Sequence, residues 1–431
     1  MTIVWLVMLV SLFGLLCLGV WIGVALGITG IIIMHIWGGG IPLLGGVLWS
    51  SLNIYGLTAV PAFCFVGEVI LRSGLSAKAF ESISPLAARV PGKLLQVNIV
   101  LCTIFAAVFG SSTACAAAVG SIVIPELRHR KYNEELILGT ICVAGTLAFM
   151  IPPSSQFVLY GSLVNVSIGA LFAAGVVPGL MMSVLFMGYL GIKAHYNPEI
   201  TPFEEKRVPF KQTILPLLKL WPLVLIMIAC VGPIYAGLAT PTESGGIGAI
   251  ASIIIGLLFG KLRLKSLWQC VTETTKVTCM LFFIIIGAMA MSTAVSQLGL
   301  PRQVIEWIGK LEVSPLVIMA AIYLLYIILG CLFDGISMMV MTLPFVFPIV
   351  LHLGYDAIWF GVMMCLLIEI GMVTPPVGMN LFMVQAVAGE GTTIGQIFRG
   401  SIPFVVCSLI VLAIITIYPA VVTWLPNLIV R

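Results

Sequence analysis

Apolar runs long enough to cross a bilayer recur from one end of the chain to the other, separated by short polar turns. A helix needs roughly 20 apolar residues to span the hydrocarbon. On that measure, crossings are predicted near 2–18, 21–37, 49–71, 135–166, 169–192, 217–239, 244–260, 277–297, 357–388 and 402–427. Two further apolar stretches, 93–128 and 314–351, each carry a polar break in the middle. They predict re-entrant hairpins, with tips at Gly110-Ser111-Ser112-Thr113-Ala114 and Asp334-Gly335-Ile336-Ser337. Each arm is about 13–17 residues, or roughly 20–25 Å of helix, which passes mid-bilayer without reaching the far side. Basic residues flank the first hairpin on both ends (Arg89 and Lys93, then Arg128, Arg130 and Lys131), and a single crossing would force one cluster outside.

The pattern repeats at a spacing of about 224 residues. Met150-Ile151-Pro152-Pro153-Ser154-Ser155 returns as Val373-Thr374-Pro375-Pro376-Val377-Gly378, and Pro125 as Pro348. Gly74-Leu75 returns as Gly299-Leu300, Pro91 as Pro315, and Gly175 with Pro178 as Gly400 with Pro403. Ile168-Gly169 with Phe172 returns as Ile394-Gly395 with Phe398. A duplicated apolar chain with paired helix breaks is the signature of a secondary transporter. The expected units are 1–195 (scaffold spans 1–92, hairpin and broken helix 93–166, closing span 169–195), a cytoplasmic connector 196–216, and 217–431. The last divides into scaffold spans 217–313, hairpin and broken helix 314–388, and closing span 395–431.

Charge orients this arrangement. Hydrophobic residues make up 61% of the 431 and charged ones 8%, against roughly a quarter in a soluble domain. With the N-terminus outside, 17 of the 20 Lys and Arg fall inside, leaving Arg302, Lys310 and Arg431 outside. Both termini are then periplasmic, each half has five crossings, and an odd number inverts the second half. Thr2–Leu18 reads as a retained span, since no basic segment precedes it. Segments 75–90 and 301–312 occupy matching places before the hairpins. In the second, Arg302, Glu306 and Lys310 share one face opposite Val304, Ile308 and Leu311. These are either membrane-surface helices or ordinary loop helices.

Four breaks are where chemistry belongs: the two tips, Pro152-Pro153 and Pro375-Pro376. A Pro-Pro pair removes two helical donors and frees carbonyls of the preceding turn. Inside a membrane such backbone is tolerated only against protein or a wet cavity. Carbonyls and hydroxyls suit a small cation, and helix N-termini suit an anion. Taken singly, GSSTA is equally a small-residue packing motif and Pro-Pro equally a kink. Asp334 at the second tip is either a functional acid or a helix cap. Glu369, before the second Pro-Pro, either orients the site or pairs with a buried neighbour. Both are candidate coupling acids, whereas Glu68 and Glu243 read as structural contacts. The eleven cysteines are scattered singly, without CxxC, and His35, His129, His195 and His352 form no triad or ligand set. Catalysis, a metal cofactor and a nucleic-acid partner are therefore not expected.

The segments GSSTACAAAVGSIVIPEL, MIPPSS and IEIGMVTPPVGMNLF resemble the large membrane subunit of TRAP (tripartite ATP-independent periplasmic) transporters, and the likeness covers essentially the whole chain. The resemblance implies an elevator-type importer of organic acids in the bacterial inner membrane, with Na⁺ as the coupling ion. It implies a small four-helix (Q type) membrane subunit and a periplasmic substrate-binding protein (P type) as partners. It also implies one sodium site at Ser111, Ser112, Thr113, Gly145 and Pro152, and another at Gly335, Ser337, Thr374 and Gly378. A carboxylate substrate would lie between them, near Ser154, Ser155, Gln156 and Asn380. Sialic acid is the first expectation and a C4-dicarboxylate the second. With no four extra spans ahead of Thr2, the small subunit is expected to be a separate polypeptide. The alternative is a stand-alone divalent-anion/Na⁺ symporter working without a binding protein.

Overall fold

The computed structural model describes residues 2–38, 44–201, 209, 215–310 and 313–429, and among these every regular element is helical. Lys206, Arg207, Lys211, Leu311, Arg431 and most of the expected 196–216 connector lie outside the described residues. The first half runs α1 (Thr2–Cys17), α2 (Ile22–Ile33), α3 (Leu44–Leu52), α4 (Ala59–Ser73), α5 (Leu75–Ile83), α6 (Leu94–Phe109), α7 (Ser112–His129), α8 (Glu134–Ala144), α9 (Ser155–Val164) and α10 (Ile168–Tyr196). The second runs α11 (Trp221–Tyr235), α12 (Pro241–Leu258), α13 (Leu264–Gln297), α14 (Leu300–Lys310), α15 (Pro315–Gly330), α16 (Gly335–His352), α17 (Ala357–Met372), α18 (Met379–Ala388), α19 (Ile394–Ile417) and α20 (Ala420–Ile429). Seven of the described helical segments are long and apolar enough to cross a membrane, which makes this a polytopic membrane protein.

Polar residues set the helix ends. Asn133, Ser167 and Asp356 accept a backbone N–H in the first turns of α8, α10 and α17. Thr240 with Glu243 and Thr393 with Gln396 form capping boxes at α12 and α19. Glu243 is thus a cap partner, and Glu68 pairs with Arg72 at 3.1 Å. Gly74 and Gly299 are both left-handed (φ 73° and 62°), a backbone region that favours glycine, and each turns the chain into a short helix. On α14, Arg302 meets Glu306 at 3.4 Å on the exposed side, while Val304 and Ile308 pack against the core.

Several boundaries depart from the apolar pattern. The crossing expected over 49–71 is instead a separate α3, a 3₁₀ turn at Tyr55–Thr58 and α4. The crossing expected over 277–297 begins at Leu264 and runs 34 residues as α13. Backbone bonding continues through the polar Lys265–Lys276 segment, where Lys276 pairs with Glu273 at 2.9 Å, although hydropathy falls there. The crossing expected over 402–427 stops at Ile417, and Pro419 separates it from α20. The second hairpin arms, α7 and α16, are 18 residues each, slightly longer than expected.

The halves interlock. Helices α2 and α4 pack on α13 and α12, while α7 and α8 pack on α18 and α19. Backbones touch at small residues: a Cβ on Gly139 of α8 would lie 2.2 Å from the Gly400 backbone of α19. All eleven cysteines are unpaired.

Candidate functional site

At the first tip, Gly110 ends α6 with φ 57°, and a Cβ there would meet the Pro153 carbonyl at 3.2 Å. Ser155 holds this approach: its hydroxyl donates to Gly110 O, and its N–H reaches the same oxygen at 3.4 Å. The tip of the first hairpin is therefore docked on the break of its own half. Ser112 is fully buried, and Ser111 Oγ lies 3.3 Å from Thr113 Oγ1. Gly145 packs on Ala116, one turn beyond Ser112 on α7. Residues 150–154, with Pro152, are non-helical between a 3₁₀ turn (Gly145–Phe149) and α9. The Pro152-Pro153 bond is cis, as is Pro375-Pro376.

The second tip uses the same device with different atoms. Cys331 O accepts from Val377 N at 3.0 Å and Gly378 N at 3.2 Å, so this hairpin too is docked on its own break. Gly378 is left-handed (φ 56°) and opens α18. Asp334 caps α16, accepting Ile336 N and Ser337 N at 3.1 Å each, and the Ser337 hydroxyl donates to its other oxygen. Capping is thus a role the structure gives Asp334. Thr374 donates to Ile370 O at 2.6 Å.

Two amides cross between the halves. Asn380 donates to Ser112 Oγ at 2.6 Å and to Cys142 O at 3.1 Å. Gln156 lies against the second tip, where a Cβ on Gly335 would sit 3.0 Å from its Nε2. Both side chains are fully buried, and Asn380 Oδ1 and both polar atoms of Gln156 have no partner. Ser154, by contrast, donates to Phe149 O at 2.6 Å and caps α9, and Ser155 is held by Gly110. Of the four expected substrate residues, the two serines are engaged within the fold and the two amides keep free polar atoms. Glu369 is 1% exposed with both oxygens unpartnered.

Sequence reasoning missed Arg128 except as a charge. Its guanidinium binds Glu134, donates to Ala388 O at 2.6 Å and to Thr392 Oγ1 at 2.9 Å. It thereby ties the far end of the first hairpin to the end of the second broken helix. A lone basic residue after an apolar run gives no hint of such partners. A cavity of about 830 Å³, lined by Trp21, Gly23, Lys276, Phe283, Asp334 and Ser337, opens beside the second tip. The corresponding cavity at the first tip, beside Gly67, Glu68, Phe109, Ser111 and Thr274, holds about 60 Å³. Among the described residues no three His, Cys, Asp or Glu come together as a metal-ligand group, so the donors on offer at the tips are hydroxyls, amides, carbonyls and the single carboxylate of Asp334.

Comparison with known proteins places this geometry. The family described as "Tripartite ATP-independent periplasmic transporter, DctM component" matches residues 9–421. The chain is similar to the C4-dicarboxylate TRAP transporter large permease protein DctM of Pseudomonas aeruginosa, with 33% identity over 88% of each chain. It is similar to the sialic acid TRAP transporter large permease protein SiaM of Vibrio cholerae, with 29% identity over 90% of this chain and 88% of the relative. The solved YdaH transporter of Alcanivorax borkumensis shares the fold, with TM-score 0.61 and 14% identity over 89% of this chain and 90% of that one. The chain therefore belongs to the DctM family, the large membrane subunit of tripartite ATP-independent periplasmic transporters.

Proposed function

We propose that this subunit imports a carboxylate across the inner membrane by Na⁺ symport, receiving it from a periplasmic binding protein and working with a separate small membrane subunit. The observation that carries the reading is the pair of hairpin tips, each docked on the break of its own half by a bond to a tip carbonyl. Hydroxyls, amides and unwound carbonyls gathered at depth are a donor set for Na⁺, and the N-terminal ends of α7, α9, α16 and α18 are suited to an anion. The cations sit at Ser111–Thr113 with Gly145 and Pro152, and at Gly335 and Ser337 with Thr374 and Gly378. The substrate lies between them, beside Gln156, whose amide is free, and Asn380, whose Oδ1 alone is unpartnered. The two halves form an inverted repeat with both termini periplasmic. The hairpins are re-entrant and move with the broken helices as an elevator against α2, α4, α12 and α13. If two Na⁺ accompany a monoanion such as sialate, one net charge enters and the membrane potential adds roughly 2.3 kcal/mol per 100 mV, whereas two Na⁺ with a dianion such as succinate are electroneutral.

Relatives named for C4-dicarboxylate transport at 32–33% identity, beside one for sialic acid at 29%, make succinate the first substrate to try and sialic acid the second. The test is uptake into proteoliposomes holding this chain with its small subunit, binding protein outside and Na⁺ directed inward. Uptake that requires both Na⁺ and the binding protein is expected. Uptake without the binding protein would point to the stand-alone symporter, and Na⁺-independent uptake would overturn the coupling.

A further inference from the structure

Gln156 and Asn380 occupy equivalent places. Each lies two residues beyond the residue that opens the second piece of its broken helix, Ser154 and Gly378, and the two stand 224 positions apart. The residues they reach, Gly335 and Ser112, stand 223 apart at the opposite tips. The same crossing is therefore made twice, once in each direction. A buried amide without partners is costly, by roughly 1–3 kcal/mol for each unsatisfied group, so these polar side chains call for a role that offsets the cost.

The two crossings differ in completion. Asn380 spends both its hydrogens, on Ser112 Oγ and on Cys142 O, the latter three residues before Gly145. The bond fills one lone pair of the Ser112 hydroxyl and leaves the second for another partner. Gln156 spends neither donor nor acceptor. Placed against Gly335, it offers N–H groups where a carboxylate would approach the N-terminus of α16.

We infer that Asn380 is a positioning residue acting across the halves, fixing Ser112 for the cation at the first tip, and that Gln156 is its unlatched counterpart, closing on the substrate carboxylate at the second tip. The inference rests on the proposed sodium and substrate sites. It predicts an order, in which the first cation site is built before substrate arrives and the second tip is completed by it.

The experiment compares Asn380→Ala, Asn380→Leu and Gln156→Ala in the complex with the small subunit. Na⁺ affinity is measured without substrate, by Na⁺-dependent shift of thermal unfolding in choline-balanced buffer. Succinate and sialic acid uptake supply KM and maximal rate. Asn380→Ala is expected to weaken substrate-free Na⁺ affinity about tenfold, the size of one buried hydrogen bond. Ser112→Ala added to it should cost little more. Asn380→Leu keeps the volume and adds no charge while losing the donor, and should reproduce the loss if Asn380→Ala does not fold. Gln156→Ala should raise the substrate KM about tenfold with the maximal rate largely kept. If the Asn380 variants lower only stability or maximal rate while Na⁺ affinity holds, or if the Ser112 and Asn380 losses multiply, the inference is overturned. Loss of Na⁺ dependence in the unaltered complex would instead sink the functional reading itself.

Discussion

The two hairpin tips are built on one plan and left in different states. The first is closed: Gly110 is pressed onto Pro153, Ser112 is held from the other half, and only about 60 Å³ remains beside it. The second is open toward α2 and α13 to about 830 Å³, and the amide that reaches it holds nothing. Asp334 stabilises that tip from within by capping α16, a service Ser111 does not perform for α7. A tip that faces space needs its own internal brace, whereas a tip packed on its neighbours is braced by them.

Four substitutions would break or sharpen this contrast. The largest effect is expected from Gly371→Val. A Cβ there would sit 2.5 Å from Gly330 Cα, backbone that cannot swing aside, so the first arm of the second hairpin must separate from α17. A loss of about 3 kcal/mol, at the upper end for overpacking, should appear as a lowered midpoint of thermal unfolding in detergent. An unchanged midpoint would mean that the hairpin adjusts more freely than its packing implies.

Asp334→Ala should cost about 1 kcal/mol through the lost cap, with Asp334→Asn largely restoring stability because asparagine caps as well. Uptake separates the two roles left open by the sequence: if Asp334→Asn is stable and inactive, the charge serves transport beyond capping. Arg128→Ala tests the far end of the first hairpin. Its equivalent in the second half is Leu351, so only the first hairpin has this guanidinium latch. With its side chain 36% exposed, about 1 kcal/mol is expected, read as faster proteolysis or hydrogen exchange around Ala388–Thr392. The smallest change is expected from Glu369→Gln. A buried carboxyl without partners loses no bond when it becomes an amide of the same shape, so stability should not fall. A large loss of uptake in that stable variant would assign Glu369 to coupling.

Much of this was legible in the sequence. Gly, Ser and Pro interrupting apolar runs mark the four breaks because a helix in hydrocarbon has few other reasons to stop, and the structure breaks at each of them. The caps at Asn133, Thr240, Asp356 and Thr393 went unread, although each side chain is of a capping type. The length of α13 was not legible, since Lys265–Lys276 satisfies its backbone as a helix whatever its hydropathy. Nor was the use of Ser154 and Ser155, whose hydroxyls bond backbone oxygens that chain geometry happens to bring near. The crossing of Asn380 to Ser112 joins positions 268 residues apart, and no local pattern encodes such a contact.

The length of α13 has a mechanical consequence. At 1.5 Å per residue its 34 residues reach about 51 Å, while the hydrocarbon is roughly 30 Å thick. The helix must stand oblique or project from the bilayer, and its packing against neighbouring helices decides its tilt. It packs on α2, α3, α4 and α16 together, and a Cβ on its Gly287 would meet the Gly23 carbonyl of α2 at 1.9 Å. Any tilt of α13 is shared by backbone contact with the wall that faces the second tip. A bilayer whose thickness mismatches α13 is therefore expected to change the width of that cleft, and the measurement is uptake in vesicles of different acyl-chain length.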